Sequence, residues 1–268
     1  MNRSLLAGAS LLVAFALVVV SCGDEDQTPS IPDIVDPEGT PLLPDLAPAP
    51  PVDVHTRLDA DLDHWTIRFS STLVNQGPGD FVLRGSRSTN DWEMSQEIAH
   101  SVAGAALQPI DAAMDWGGDG HDHWHISRVA AYLLVPLDDA GVPAPDATGR
   151  VDAKIGFCFF DSGRALERVG PAVAQFVHES CGEESDRQVR MGLSPGWQDE
   201  YAFVLPGQSI DIDGLADGTY RLWAEADPRG WFVETTTENN RTWVDLRLET
   251  IEGGSRVAVV IAVGPEPQ

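Results

Sequence analysis

The stretch Trp65-Thr66-Ile67-Arg68-Phe69-Ser70-Ser71-Thr72-Leu73-Val74 indicates the fold class of this chain. Its apolar and polar residues largely alternate, with the period of a half-buried β-strand. It ends at Asn75-Gln76-Gly77-Pro78-Gly79, where the glycines and the proline predict a turn. Asp80-Phe81-Val82-Leu83-Arg84 follows at the distance of a hairpin partner. The three segments together predict an antiparallel strand pair.

Similar strand patterns recur along the rest of the chain, with few helical ones. They cover residues 129–137, 151–161, 219–225, 242–248 and 256–263. One helix is expected within residues 164–180, broken near Gly170-Pro171. This pattern predicts a mainly β, β-sandwich-like single domain with long loops and at most one or two short helices.

The N-terminus has the organisation of a targeting segment. Arg3 precedes an apolar run over residues 5–20, which is too short for a comfortable membrane span. The run ends in Val19-Val20-Ser21-Cys22-Gly23, which resembles a bacterial lipobox. We therefore expect a lipoprotein signal peptide over residues 1–22 and lipidation of Cys22, with a membrane-spanning anchor as the alternative. Residues 23–42 are acidic and proline-rich, and they predict a disordered tether. The expected location is outside the cytoplasm, lipid-anchored to the bacterial membrane or cell surface.

Composition limits the classes of partner. The formal net charge of −25 excludes nucleic acid as a natural partner, because phosphate binding needs a basic surface. It favours amines, basic proteins or peptides, and metal ions, although solvation alone also explains it. Of the three cysteines, Cys22 would be lipidated, and Cys158 and Cys181 are expected to form a disulfide in an oxidising compartment. Two buried free thiols are the alternative.

The segment His121-Asp122-His123-Trp124-His125 predicts a metal site. In an extended strand alternate side chains share a face, so the three histidines project together and Asp122 and Trp124 project from the other side. Three neutral imidazoles suit copper or zinc, whereas calcium and magnesium prefer oxygen ligands. A polar strand face with solvated histidines is the alternative.

Lys154 is the only lysine among 17 basic residues. A lysine amine can lose its proton and act as a nucleophile, which an arginine cannot do. A bias toward arginine explains why lysine is scarce, but it does not explain why one lysine remains.

From about residue 43 the chain resembles the catalytic domain of the lysyl oxidase family, the copper- and quinone-dependent amine oxidases. The resemblance implies that residues 43–265 form this domain. It rests on an ordered set of short segments: Leu43-Pro44-Asp45-Leu46, Arg68-Phe69-Ser70-Ser71, Asn75-Gln76-Gly77, the histidine triplet with Tyr132-Leu133-Leu134, Lys154-Ile155-Gly156-Phe157-Cys158, residues 192–201, Gly218-Thr219-Tyr220, and residues 234–240.

This resemblance implies a cofactor built from the chain itself. Lys154 falls at the position of the family's cofactor lysine and Tyr201 at that of its tyrosine, so the two would join as lysine tyrosylquinone with copper at His121, His123 and His125. The implied reaction is oxidative deamination of a primary amine, such as peptidyl lysine, a small amine or a polyamine, with release of an aldehyde, hydrogen peroxide and ammonia. Asp199 matches the family's proposed general base, although a turn aspartate is nearly as good an explanation.

The resemblance also implies a calcium site. The matching positions are Asp45, Leu46 (by its carbonyl), Glu234, Asn239 and Asn240. Thr236 stands where the family often has an acidic residue, and a capped turn between two strands is the alternative.

The chain departs from animal members of the family. It retains a single cysteine pair and differs in the segment between the two cysteines, so collagen or elastin cross-linking cannot be assumed. Two other function classes remain: a non-catalytic lipoprotein that binds copper or zinc, and a zinc hydrolase with Asp199 as its base. Neither needs the pair Lys154 and Tyr201, which therefore discriminates among the three.

Overall fold

Antiparallel strands form nearly all the regular structure of this computed structural model, which describes residues 35–59, 63–117, 122–143, 149–151 and 156–268. The predicted signal peptide, Cys22, most of the predicted tether, His121 and Lys154 lie outside the described residues. In the described part of the chain, the only helical segment is a 3-10 helix, η1 (His178–Cys181). The prediction of a mainly β fold with at most one or two short helices is confirmed.

The strands are short, and in chain order they are β1 (Leu46–Pro48), β2 (Val52–Asp59), β3 (His64–Asn75), β4 (Phe81–Ser86), β5 (Glu93–Ala99), β6 (Ala105–Ile110), β7 (Met114–Trp116), β8 (Trp124–Ser127), β9 (Ala130–Pro136), β10 (Arg150–Val151), β11 (Gly156–Phe157), β12 (Gly163–Arg164), β13 (Gln188–Leu193), β14 (Trp197–Tyr201), β15 (Ser209–Asp211), β16 (Gly218–Ala226), β17 (Arg241–Thr250) and β18 (Arg256–Val263).

These strands form four antiparallel sheets. The first has the order β1-β3-β14-β12, with β2 and β15 also paired to β3. The second has the order β10-β9-β16-β17-β18, the third β13-β4-β5-β6, and the smallest β11-β8-β7. Buried side chains from all four sheets form one hydrophobic cluster, with Phe69, Phe81, Ile126 and Leu222 among its members. The smallest sheet therefore has its apolar face anchored in the core.

The predicted pairing of β3 with β4 is wrong, although both strands exist. β3 pairs with β14, whereas β4 pairs with β5 and β13 in another sheet. Asn75 explains the change of sheet, because its side chain binds both sides of the turn. Its Oδ1 accepts hydrogen bonds from the N–H groups of Asp45 and Gly77, and its Nδ2 donates to the carbonyls of Gly79 and Leu193. The turn is a buried corner rather than a hairpin loop.

The helix predicted within residues 164–180 is also wrong. Side chains satisfy the polar backbone groups that a helix would otherwise pair. The guanidinium of Arg164 donates to four carbonyls, those of Leu166, Glu167, Val169 and Pro171. The carboxylate of Asp161 accepts from the N–H groups of Gln175 and Phe176, at 2.7 and 3.2 Å. The irregular loop is stable because Arg164 binds the carbonyls of its first half and Asp161 binds the N–H groups of its second half.

Two boundaries differ from the predicted ones. The continuous strand expected over residues 151–161 is described only as two short strands, β10 and β11, and residues 158–162 after β11 are irregular. At the N-terminal side, Glu38 and Pro41 form isolated bridges with Ala103 and His100. These bridges extend the folded part of the chain to Glu38, before the predicted boundary at residue 43. No helix among the described residues is long and apolar enough to cross a membrane.

Candidate functional site

Strand β8 contains His125 and begins directly after His123, two of the three histidines of the predicted metal motif. Trp124 and Ile126 are buried in the hydrophobic core, which fixes one face of the strand. The indole N–H of Trp124 donates to the carbonyl of Glu183 at 2.8 Å, and its ring packs between Trp92 and Trp116. Arg87 stacks over the same ring, 4.6 Å from its centroid. The residues of opposite parity must therefore face the other way.

His123 and His125 lie on that other face, as alternation predicts. Both are buried, and their ring centroids are 4.5 Å apart. His121 lies outside the described residues, so we use the name imidazole site for the predicted set His121, His123 and His125. Buried imidazoles at this spacing suit copper or zinc, because each ring offers a nitrogen ligand and the core face holds the strand in place.

A fourth histidine lies beside this site, and the sequence reasoning missed it. The ring of His178 lies edge-on to His123, with centroids 4.4 Å apart. A ring nitrogen of each, together with the Cys158 sulfur, lies within 4.8 Å of the others. The sulfur belongs to a disulfide and is not a thiolate, so we count only the imidazoles as ligands.

The disulfide explains how His178 reaches the site. Cys158 and Cys181 are bonded, with Cα atoms 5.6 Å apart, as the cysteine count predicted. η1 begins at His178 and ends at Cys181, so the bond ties this short helix to the end of β11. A histidine three residues before a paired cysteine was the available sequence signal, but it indicates proximity only after the partner's position is known.

Tyr201 lies next to Phe157 and Cys158, which follow Lys154 closely in the sequence. β11 pairs with β8, and a Cβ built on Gly156 would lie 3.2 Å from the Cβ of His125. One residue after β11, the N–H of Cys158 donates to the Tyr201 hydroxyl at 2.7 Å. The Tyr201 ring is buried against Phe157, with centroids 4.4 Å apart. The structure thus brings Tyr201 to the backbone of Cys158, four residues beyond Lys154, at the end of the strand that pairs with β8.

The other two tyrosines, Tyr132 and Tyr220, pack in the core. Tyr132 is buried against Phe69, with ring centroids 5.0 Å apart. Tyr220 is buried in β16, and its hydroxyl donates to the carbonyl of Ala216 at 2.8 Å.

Asp199 shares a strand face with Tyr201, two residues before it on β14. Its side chain is completely buried, and neither carboxylate oxygen has a hydrogen-bond partner in the described part of the chain. Burial, with a smaller contribution from the negative charge of Asp161, raises the pKa of Asp199 well above its usual range. A turn aspartate would be solvated or would cap backbone N–H groups, so this environment argues against that alternative.

Asp161 shows what a structural carboxylate looks like in the same region. It is also buried, but Ser194 donates to it with both its N–H and its hydroxyl, each at 2.8 Å. Together with the two N–H groups of the 164–180 loop, these donors satisfy the carboxylate. Of the two carboxylates, only Asp199 therefore lacks the hydrogen bonds that a structural role would explain.

The residues of the predicted calcium site come together from two distant parts of the chain, residues 45–46 and residues 234–240. We call Asp45, Glu234, Asn239 and Asn240 the oxygen cluster. Asn239 Nδ2 donates to Asp45 at 2.7 Å, and Asn240 Nδ2 donates to Glu234 at 2.9 Å. The N–H of Leu46 donates to Glu234 at 2.6 Å, across 188 positions of the chain.

The oxygen cluster has the chemistry of a hard-cation site. The side-chain oxygens of Asn239 and Asn240 are buried and have no hydrogen-bond partner among the described residues. Burial raises the pKa of Glu234 to about 7, with the hydrogen bonds from Leu46 and Asn240 opposing it. Two carboxylates and two unpartnered amide oxygens fit calcium, which is bound by oxygen ligands. Thr236 is not part of the oxygen cluster. Its hydroxyl accepts a hydrogen bond from the N–H of Glu238 at 3.2 Å within the turn.

Comparison with protein-family models finds no match to this chain, and a search of curated proteins finds none either.

Proposed function

We propose that this chain is a copper-dependent amine oxidase that uses a quinone made from Lys154 and Tyr201. One molecule each of primary amine, O2 and water gives one molecule each of aldehyde, ammonia and hydrogen peroxide. The electron pair lost by the amine carbon reduces oxygen to peroxide. A bound copper ion would activate oxygen, and the quinone would supply a carbonyl electrophile.

The observation that carries this proposal is the hydrogen bond from the Cys158 N–H to the Tyr201 hydroxyl. It lies beside the strand that holds His125. A non-catalytic metal protein has no need for a buried tyrosine at that position. The hydrogen bond and the contact with Phe157 hold the ring in one orientation. A tyrosine ring that must join Lys154, four residues before Cys158, benefits from such preorganisation.

Asp199 is the proton acceptor in this proposal. Removal of a proton from the carbon next to the amine nitrogen needs a base on the same strand face as the cofactor tyrosine, and Asp199 is on that face. Because burial raises the pKa of Asp199, the ionised carboxylate that accepts the proton forms only as the pH rises toward that pKa, and amine turnover should rise with pH over the same range. His123 and His125, with His121 of the same motif, would hold copper, and His178 is near enough to add a further nitrogen.

Labelling with phenylhydrazine tests the proposal, because only a protein with a reactive carbonyl cofactor forms the coloured adduct. Copper-loaded protein kept in air should form it, and peptide mapping should find Lys154 joined to Tyr201. Tyr201→Phe should fold, keep copper and give no adduct. The matched control is Tyr220→Phe, which also loses one hydrogen-bonded buried hydroxyl and should still give the adduct. An active, copper-replete preparation with both residues unmodified would refute the cofactor assignment.

The second candidate is a copper- or zinc-binding protein without a quinone. The contact between His123 and His178 favours it, because a further imidazole ligand can close a metal site that catalysis would leave open. Under this alternative the protein binds one metal ion per chain, forms no hydrazine adduct and produces no peroxide from amines.

A further inference from the structure

An open cleft of about 480 Å³ lies beside the smallest sheet, next to the face that carries His125 of β8. Its size is within the range of small-molecule sites. Its polar and aromatic lining comes from the β6–β7 connection, the β7–β8 pair and the loop after β16: Asp111, Asp115, Ser127, Arg128, Arg229 and Trp231.

Two guanidinium groups are available for a ligand in this cleft. Arg128 and Arg229 are both exposed, and in the part of the chain that the structure describes neither forms an ion pair or a side-chain hydrogen bond. Several other arginines are occupied. For example, Arg84 and Arg190 bind Glu97, and Arg221 binds Asp245. Two uncommitted guanidiniums in one cleft are the kind of donors that recognise a carboxylate.

The backbone holds these two arginines in place at some cost. Arg128 has a φ of 64° and Asp227 a φ of 43°, both in the left-handed region that side-chain-bearing residues seldom adopt. The N–H of Asp227 donates to the carbonyl of Val129 at 2.9 Å, which joins the two strained turns. The Asp227 carboxylate accepts from the N–H of Trp231 at 2.9 Å, so the loop that carries Arg229 and Trp231 is fixed to the turn that carries Arg128.

The floor of the cleft continues onto the face of the imidazole site. Asp115 is the cross-strand partner of His125, and cross-strand partners share a face of the sheet. Ser127 has the same parity as His125 on β8, and its hydroxyl donates to the Asp115 carboxylate. Ser127 is also the partner of Gly156 on β11, two residues after Lys154. A chain with its end at the arginines can therefore lie along Asp115 toward the imidazole site.

We propose that this cleft selects amine substrates that also carry a carboxylate, separated from the amine by an alkyl chain. Arg128 and Arg229 bind the carboxylate, the Trp231 ring covers the alkyl chain, and Asp115 binds the ammonium group near His125. The identification of the amine as the reacting end rests on the proposed function. The carboxylate site itself rests only on the cleft. It predicts a preference for ω-amino acids or a C-terminal lysine over simple alkylamines.

A ligand that cannot react tests the site separately from the reaction. Hexanoate has the carboxylate and alkyl chain but no amine, and its binding to the full chain is measured by calorimetry and by tryptophan fluorescence. Hexanoate should bind, and the double variant Arg128→Gln, Arg229→Gln should weaken binding at least ten-fold. Arg247→Gln is the matched control, because it removes one exposed arginine of β17 elsewhere and should leave binding unchanged. If the double variant does not fold, Arg229→Gln alone carries the test.

Three outcomes would overturn the inference: no hexanoate binding, equal binding by the double variant, or displacement of hexanoate by inorganic phosphate at matched concentration, which would indicate a general anion site. Turnover provides the second arm. The kcat/KM for 6-aminohexanoate should exceed that for hexylamine at least ten-fold, and the double variant should remove the difference mainly through KM. Hexanoate binding without peroxide from either amine would leave the carboxylate site standing and refute the proposed function. Equal turnover of both amines without hexanoate binding would refute the carboxylate site and leave the proposed function standing.

Discussion

The imidazole site and the oxygen cluster are both candidate metal centres, but they are assembled in opposite ways. The histidines of the imidazole site are neighbours in sequence, and the strand anchored by the buried Trp124 is enough to place His123 and His125 on one face. The oxygen cluster joins Asp45 to Asn239 across 194 positions, so its geometry exists only in the folded protein. Metal binding at the first should depend on local side chains, whereas metal binding at the second should be coupled to folding.

The largest expected effect is the loss of function at the imidazole site. His125→Ala should remove copper and all amine-dependent peroxide while the protein stays folded, because the ligand is lost but Trp124 still anchors β8. Even outer-shell partners of metal ligands contribute about 10–100-fold, so a ligand should contribute more. Metal analysis and a peroxide assay measure it. His64→Ala should retain copper, since it removes a histidine at the start of β3, and full copper in His125→Ala would remove that residue from the site.

Asp199→Asn should give the next largest effect, and it separates catalysis from metal binding. The amide is isosteric but cannot accept the proton, so kcat should fall by ~100-fold or more while copper content and the hydrazine adduct are retained. Steady-state kinetics with one amine are the measurement. An unchanged kcat would assign proton removal to another group.

Calcium should act on stability rather than on activity. A ligand that binds only the folded state at a hundred times its Kd stabilises that state by about 2.7 kcal/mol. Calorimetry with increasing calcium chloride should therefore show a rising Tm in the wild type. Asn239→Ala removes one of the unpartnered amide oxygens and should reduce the increase. The control Asn90→Ala changes an exposed turn, and an equal Tm increase in both variants would rule out the oxygen cluster.

The smallest expected effect is a pH dependence of stability caused by Asp199. Because its pKa is raised, the folded state keeps a proton that the unfolded state releases above about pH 4. The free energy of unfolding should therefore fall as pH rises toward the folded-state pKa, with a slope of at most about 1.4 kcal/mol per pH unit. Denaturant unfolding at several pH values should show a steeper slope in the wild type than in Asp199→Asn, where the raised pKa of Glu234 accounts for the slope that remains. Asp139→Asn, at an exposed position, should retain the wild-type slope.

Prediction from the sequence succeeded where the determining interactions are local. Alternation identified β3, β16, β17 and β18 close to their observed bounds. It failed for residues 164–180, where the helix pattern competes with Arg164 and Asp161, two charged side chains that bind the loop backbone. It also failed for the pairing of β3, because a strand pattern contains no information about which distant strand is its neighbour.

The sequence by itself determined the mainly β class, the paired cysteines, and the common face of His123 and His125, because each depends on period-two alternation or on a count. Only the tertiary structure decided that His178 lies beside His123, that Asp199 is buried without a hydrogen-bond partner, and that Arg128 and Arg229 share a cleft. These facts depend on contacts between segments far apart in the chain. Burial and proximity of that kind are set by the packing of whole sheets, which no local pattern encodes.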